Sequence, residues 1–83
     1  MPLDGDRLAC AAAFVARLFT VSRRTPRAWR RTDAVGKSAG IVGQRLEQAV
    51  ADAVRAGLVD RRVDDGALVL LTGRGRALAD GKV

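Results

Sequence analysis

The chain has 83 residues and a formal net charge of +6. This length holds one domain with a single small core, and a composition of 48% apolar and 29% charged residues is typical of a globular protein. With no histidine and one cysteine, Cys10, the sequence excludes an internal disulfide and metal sites built from clustered histidines and cysteines, and we expect no cofactor.

The first predicted element is a helix over about residues 6–21. Its apolar residues recur at spacings of three and four, as in one buried helical stripe. They are Leu8, Ala11, Ala12, Val15, Leu18 and Phe19. Asp4 or Asp6 can cap the start of this helix. Phe14 widens the apolar face of this helix. We expect the face to pack in the core, with a dimer contact as the alternative that its width suggests.

An arginine-rich connection over residues 22–31 comes next. It carries Arg23, Arg24, Arg27, Arg30 and Arg31. Pro26 disfavours a continuous helix, so we predict irregular chain with a short strand near Arg27 to Arg30. Such a cluster indicates either an anionic partner or a solvated loop. Trp29 is expected to anchor the core, since it is the only tryptophan of a chain poor in aromatic residues.

Residues 33–56 predict two helices joined by a tight turn. Thr32 or Asp33 is the expected N-cap of a short helix ending at about Ala39, and Gly40 suits a left-handed cap. The second helix is expected from Gly43 to Ala56. Its predicted buried face holds Leu46, Ala49, Val50, Ala53 and Val54, and its outer residues are Arg45, Glu47, Gln48, Asp52 and Arg55.

A β-hairpin over 58–71 and a helix over 73–80 complete the predicted order. Two β-prone runs, Val59 to Val63 and Ala67 to Leu71, flank Asp64-Asp65-Gly66, and Asp-Gly between strand formers is a strong hairpin signal. Thr72 is the expected N-cap of the last helix.

The spacing of small residues in the helical pair fits a helix-turn-helix. Gly36 is the small residue where the helices cross, Gly40 is the turn glycine, and Ile41 is the apolar residue after it. A steep crossing needs a small side chain, and the turn needs a residue that tolerates a positive φ.

Three segments resemble the winged helix-turn-helix regulators, the MarR-like group in particular. They are Ala56-Gly57-Leu58-Val59, the Asp-Asp-Gly hairpin tip, and Leu71-Thr72-Gly73-Arg74-Gly75-Arg76-Ala77-Leu78-Ala79. The resemblance spans about residues 32–80. It implies an α+β, mostly helical winged helix-turn-helix fold in which residues 1–83 form one domain with a three-helix core, a two-stranded wing and a short C-terminal helix.

The same resemblance implies that the second helix of the motif enters a DNA major groove. Its readers would be Gln44, Arg45 and Gln48, with Lys37 and Ser38 near the DNA backbone, because glutamine pairs with adenine and arginine with guanine. The wing arginines Arg61 and Arg62 would touch phosphate. Two carboxylates at the wing tip oppose that contact, so either the strand arginines make it or the wing stays off the DNA.

These observations predict a small transcriptional regulator that binds double-stranded DNA as a homodimer, with Arg27 and Arg30 of the connection as further contacts. A continuous positive stripe joining Arg45, Arg61, Arg62 and the connection would support DNA binding. Scattered arginines would support the alternative, a winged-helix module for protein–protein assembly. A third possibility is RNA binding through the arginine-rich connection.

Other classes of function are not expected. No apolar run reaches the ~18 residues of a membrane span, and acidic residues near the start have the wrong sign for a secretory signal, so a cytoplasmic protein is predicted. Without histidine or tyrosine the chain has few groups for acid–base catalysis, so we expect no enzyme. The long flanking helices of MarR-like proteins are missing, so small-molecule sensing is not expected.

Overall fold

The computed structural model describes residues 5–25 and 27–81, so the expected cap at Asp4 and the break at Pro26 lie outside the described residues. The elements are α1 (Gly5–Val21), β1 (Arg30–Arg31), α2 (Thr32–Ala39), α3 (Gly43–Arg55), β2 (Val59–Arg61), β3 (Leu68–Leu71) and α4 (Gly73–Ala79). The strands form one antiparallel sheet in the order β1-β3-β2. The protein is therefore a small α+β domain, mostly helical, with a β-hairpin after the third helix.

The core is built around α1, which packs on α2, α3, α4 and β3. Phe14 and Leu18 of α1 are fully buried, as are Val50, Val59 and Val69 of the elements around it. The predicted stripe is confirmed at most positions. It is wrong at Leu8, which is 59% exposed, and at Ala12, which is also exposed, because the groove beside this end of α1 is open.

The tight corner between α2 and α3 confirms the predicted spacing. Gly40 adopts a φ of +77°, and the Ile41 N–H donates to the Gly36 carbonyl oxygen over 2.8 Å. A Cβ atom added at Gly36 would lie 2.5 Å from Leu46 Cδ1 and 2.7 Å from the Ile41 oxygen. The helices therefore approach as closely as they do only because position 36 carries no side chain.

The start of α2 differs from the prediction. Its N-cap is Arg31, which makes no side-chain cap, and neither Thr32 nor Asp33 takes that position. Instead the Thr32 N–H donates to the Ala67 carbonyl oxygen, and Asp33 accepts from the next N–H, that of Ala34. The short strand before α2 is present, but it begins three residues later than expected and holds only two residues, because β1 pairs with β3 at Arg30 and Arg31.

Two side chains of α3 are placed differently from the prediction. Val54 is 37% exposed rather than buried. Asp52, expected outside the buried stripe, is only 3% exposed. Arg7 of α1 explains its burial, because the guanidinium donates from Nη2 to Oδ1 over 2.7 Å and from Nε to Oδ2 over 3.2 Å. A carboxylate is stable there because its charge is paired and hydrogen-bonded.

The end of α3 and the hairpin follow the predicted signals. Gly57 has a φ of +77°, and the Leu58 N–H donates to the Ala53 carbonyl oxygen, which closes the helix in a left-handed turn. We call residues 59–71 the hairpin. Its strands are shorter than the predicted runs, and β2 pairs with β3 from Val59 opposite Leu71 to Arg61 opposite Val69.

Thr72 joins the hairpin to α4 and caps the helix as predicted. Its Oγ1 accepts from the Gly75 N–H over 2.9 Å and donates to the Gly57 carbonyl oxygen over 2.6 Å. One hydroxyl therefore ties the start of α4 to the end of α3. Within the described part of the chain, no helix is both long and apolar enough to cross a membrane.

Candidate nucleic-acid interface

One side of α3 stays open to solvent and carries mostly polar groups. Gln44, Glu47, Gln48 and Ala51 line this open surface, which we call the outer face of α3. Gln44 and Glu47 are exposed, while Gln48 and Ala51 are half-buried. The spacing 44, 47, 48, 51 places them on one side of the helix, opposite the core residues Leu46, Ala49, Val50 and Ala53.

Arg61 connects the hairpin to this face. Its guanidinium donates from Nη1 to Glu47 Oε1 over 2.9 Å and from Nη2 to Glu47 Oε2 over 3.2 Å. Its Nε donates to the Gly66 carbonyl oxygen on the other side of the hairpin. The hydrogen bonds from Arg61 lower the pKa of Glu47 below its ordinary value. The predicted phosphate contact Arg61 is therefore bonded to a carboxylate within the protein.

Arg45 lies on the side of α3 that faces α1. Its Nη2 donates to Asp6 Oδ1 over 2.7 Å and lies 3.3 Å from Cys10 Sγ. The charge of Asp6 raises the pKa of Arg45 above its ordinary value. Residues 45 and 47 project about 200° apart on a helix, so Arg45 and the Glu47–Arg61 pair stand on opposite sides of α3.

Gln48 lines the outer face of α3 and also contacts the buried carboxylate of Asp52. Its Nε2 donates to Asp52 Oδ1 over 3.0 Å, and Arg55 Nη1 lies 3.3 Å from the same oxygen. Arg7 contributes most to lowering the pKa of Asp52. Gln44 makes no comparable hydrogen bond with another described residue. Of the two predicted glutamine readers, it is therefore the one whose amide can bind a partner without first breaking a bond within the protein.

Arg62 is held by the hairpin tip. It forms two hydrogen bonds with Asp64, from Nε over 2.8 Å and from Nη2 over 2.9 Å, and this contact lowers the pKa of Asp64. The Arg62 guanidinium also lies 5.5 Å from the centre of the Trp29 ring. Trp29 is 38% exposed, so its predicted role as a core anchor is wrong. It stacks under an arginine at the surface instead.

The remaining predicted contacts lie on α2 and in the connection. Lys37 is exposed, and Ser38 Oγ accepts from Arg17 Nε over 2.5 Å. Arg27 is exposed, while Arg30 is half-buried and donates to Thr25 Oγ1 over 2.6 Å. Several cations form no ion pair with another described residue. They are Arg17, Arg23, Arg24, Arg27, Arg30, Lys37, Arg74 and Arg76.

The predicted arginines therefore do not form one continuous positive stripe. Arg45, Arg61 and Arg62 each face a carboxylate, and Arg45 points away from the other two. The structure does bring Gln44 and Gln48 to one face beside Arg61. Among the described residues, no group of three or more histidine, cysteine, aspartate or glutamate side chains gathers in a way that would hold a metal ion.

Glu47 and Asp52 are the site residues that the sequence prediction missed. Glu47 lies three residues after Gln44 and one before Gln48, so its place on the same helical face was readable from spacing. Its partner Arg61 is 14 residues away, and only the folded hairpin brings the two together. Comparison of the chain with models of known protein families, with curated proteins and with solved structures found no significant match.

Proposed function

We propose that this protein is a winged helix-turn-helix domain that binds duplex DNA, with α3 as the helix that enters the major groove and the hairpin as the wing. The observation that carries the proposal is the outer face of α3. Two glutamines and a glutamate lie there beside the hairpin, on a helix joined to α2 by the tight turn at Gly36 and Gly40. Side chains of this kind form hydrogen bonds with base edges in the major groove.

The internal ion pairs are compatible with this proposal. The Arg45–Asp6 pair is more than half exposed on both sides, and such solvent-screened surface pairs stabilise a protein very little. Arg45 can therefore exchange Asp6 for a DNA phosphate at small cost. The cations without ion pairs, Lys37 and Arg27 among them, supply positive charge that needs no exchange.

A fluorescence anisotropy titration tests the proposal directly. The protein is titrated into labelled duplexes of mixed sequence at about 50 mM and about 200 mM salt. We expect binding at the lower concentration and a marked loss of affinity at the higher one, because cations that contact phosphates release counterions. Absence of binding at low salt contradicts the proposal. Competition by duplex RNA over duplex DNA would instead support the arginine-rich connection as an RNA site.

A pair of variants locates the interface. Lys37→Gln removes one charge from α2, which packs against α3, and should reduce the salt slope by about one. Arg74→Gln removes the same charge from α4, which packs on α1 and β3, and should leave the slope unchanged. Equal effects of the two substitutions would show that binding depends on overall charge rather than on this face.

The second candidate function is protein–protein assembly without DNA binding. The lack of a continuous positive stripe favours it, since three arginines predicted to contact DNA are paired with carboxylates of the same chain. A groove of about 330 Å³ between α1, α3 and α4 also favours it. Alanines line this groove, and Leu8 and Leu78 are exposed at its edges.

We also propose a homodimer, for which this groove, with its alanines and the exposed Leu8 and Leu78, offers an apolar surface. Analytical ultracentrifugation tests it: Leu8→Ser together with Leu78→Ser should shift the dimer to monomer. A protein that sediments as a monomer at all concentrations contradicts the homodimer but leaves DNA binding open.

A further inference from the structure

We propose that Glu47 is a base-reading residue that accepts a hydrogen bond from the N4 amino group of cytosine, and that Arg61 is the residue that positions it. This inference rests on the proposed function and names the chemistry that the outer face of α3 recognises. Glutamate is suited to this role because the cytosine amino group is a donor in the major groove.

The geometry fixes the Glu47 carboxylate before any partner arrives. Two parallel hydrogen bonds from Arg61 hold both of its oxygens, and the bond from Arg61 Nε to the Gly66 carbonyl holds the guanidinium in turn. A helix side chain is thus tied to β2 and, through it, to the loop of the hairpin. Such ordering reduces the conformational entropy that a flexible glutamate would lose on binding.

The carboxylate remains available in spite of these bonds. The Glu47 side chain is 65% exposed, whereas that of Arg61 is 29% exposed. A carboxylate offers about four acceptor positions, and Arg61 uses two of them. Glu47 lines the same open surface as Gln44 and Gln48, so a donor that approaches this face can reach its carboxylate beside the two amides.

Arg61 also removes the electrostatic objection to a glutamate at a DNA interface. An isolated carboxylate would be repelled by phosphates, but a guanidinium bonded to both oxygens balances its charge. Arg61 therefore acts through Glu47 and supplies orientation and neutralisation. This role differs from the phosphate contact predicted for Arg61 from the sequence.

Selection from a pool of randomised duplexes tests the inference. The wild-type protein should enrich cytosine at one position, with a preference of about 5- to 150-fold over the other bases. Glu47→Gln should move that preference to adenine, because an amide pairs with adenine. Arg61→Lys keeps the charge but loses the two-pronged contact, so the cytosine preference should weaken while affinity for the pool stays within a few-fold.

A matched control separates this effect from a general loss of charge. Asp33→Asn removes another exposed carboxylate that pairs with an arginine, Arg31 on the preceding strand, and should leave the base profile unchanged. Circular dichroism of each variant confirms that it folds, so a changed base profile reports recognition rather than unfolding.

Each outcome of the selection decides between the two proposals. If the wild-type protein enriches no duplex, DNA binding fails and the role of Glu47 fails with it. If it enriches duplexes and Glu47→Gln keeps the same base profile, the inference is overturned while the proposed function stands. If Glu47→Gln strengthens binding to all duplexes equally, Glu47 is only a repulsive charge and the inference is again overturned.

Discussion

Substitution of Gly36 by alanine tests the helical corner that sets the angle of α3. Alanine has a helix propensity better than glycine by about 0.8–1.0 kcal/mol, so an open site would be stabilised. At Gly36 the new Cβ meets Leu46 Cδ1 at 2.5 Å and the Ile41 carbonyl oxygen at 2.7 Å. Leu46 can adjust its side chain, but the Ile41 oxygen belongs to the backbone of the turn. Overpacking of this kind costs roughly 1–3 kcal/mol.

The expected net change is a loss of about 1–2 kcal/mol in the free energy of unfolding, since the backbone contact places the overpacking cost in the upper part of its range. Thermal unfolding followed by circular dichroism measures it, at about 4–8 °C in Tm for each kcal/mol. Gly73→Ala is the control, because no atom lies within 4 Å of a Cβ there, and its stability should stay level or rise slightly. A Gly36→Ala protein as stable as wild type would refute the tight crossing.

Three further predictions concern a buried ion pair, a helix cap and the core. The hydrogen bonds from Arg7 are the main cause of the lowered pKa of Asp52, so in acid the unfolded chain binds more protons than the folded one. The free energy of unfolding should therefore decrease as the pH is lowered below about 4. Asp52→Asn should make that decrease smaller in urea melts at successive pH values. Thr72→Ala should cost roughly 1 kcal/mol of stability in urea melts and Thr72→Ser much less, since serine keeps the capping oxygen; equal losses would mean that the hydroxyl does not cap α4. Leu18→Ala should cost about 2–5 kcal/mol and Val63→Ala, at a fully exposed position, within ~0.5 kcal/mol, and similar values in calorimetry would contradict the assigned core.

Much of the fold could be predicted because its signals are local. The corner depends on glycines at 36 and 40, the hairpin on two β-prone runs that flank residues 64–66, and the last helix on the Thr72 cap, and each signal lies within a few residues of the structure it determines. The exceptions depend on distant partners. Asp52 is buried because Arg7, 45 residues away in sequence, supplies its counter-charge.

The site was less predictable than the fold for the same physical reason. The family resemblance implied Gln44, Arg45 and Gln48 as readers on α3, and only the two glutamines line its outer face. The resemblance could not show that Arg45 turns to Asp6 on α1 or that Arg61 reaches Glu47, since arginine side chains are long and choose among carboxylates only in the folded protein. Composition also suggested a buried Trp29, whereas Arg62 stacks on it at the surface.

Amide chemical-shift mapping with a bound duplex tests the central claim most directly. The protein is labelled with ¹⁵N and titrated at low salt with the duplex that binds best. DNA binding through α3 and the hairpin predicts the largest shifts at Gln44, Glu47 and Gln48 and along the strand at Arg61 and Arg62. Shifts confined to the groove that Leu8 and Leu78 border, or no shifts at all, would contradict it.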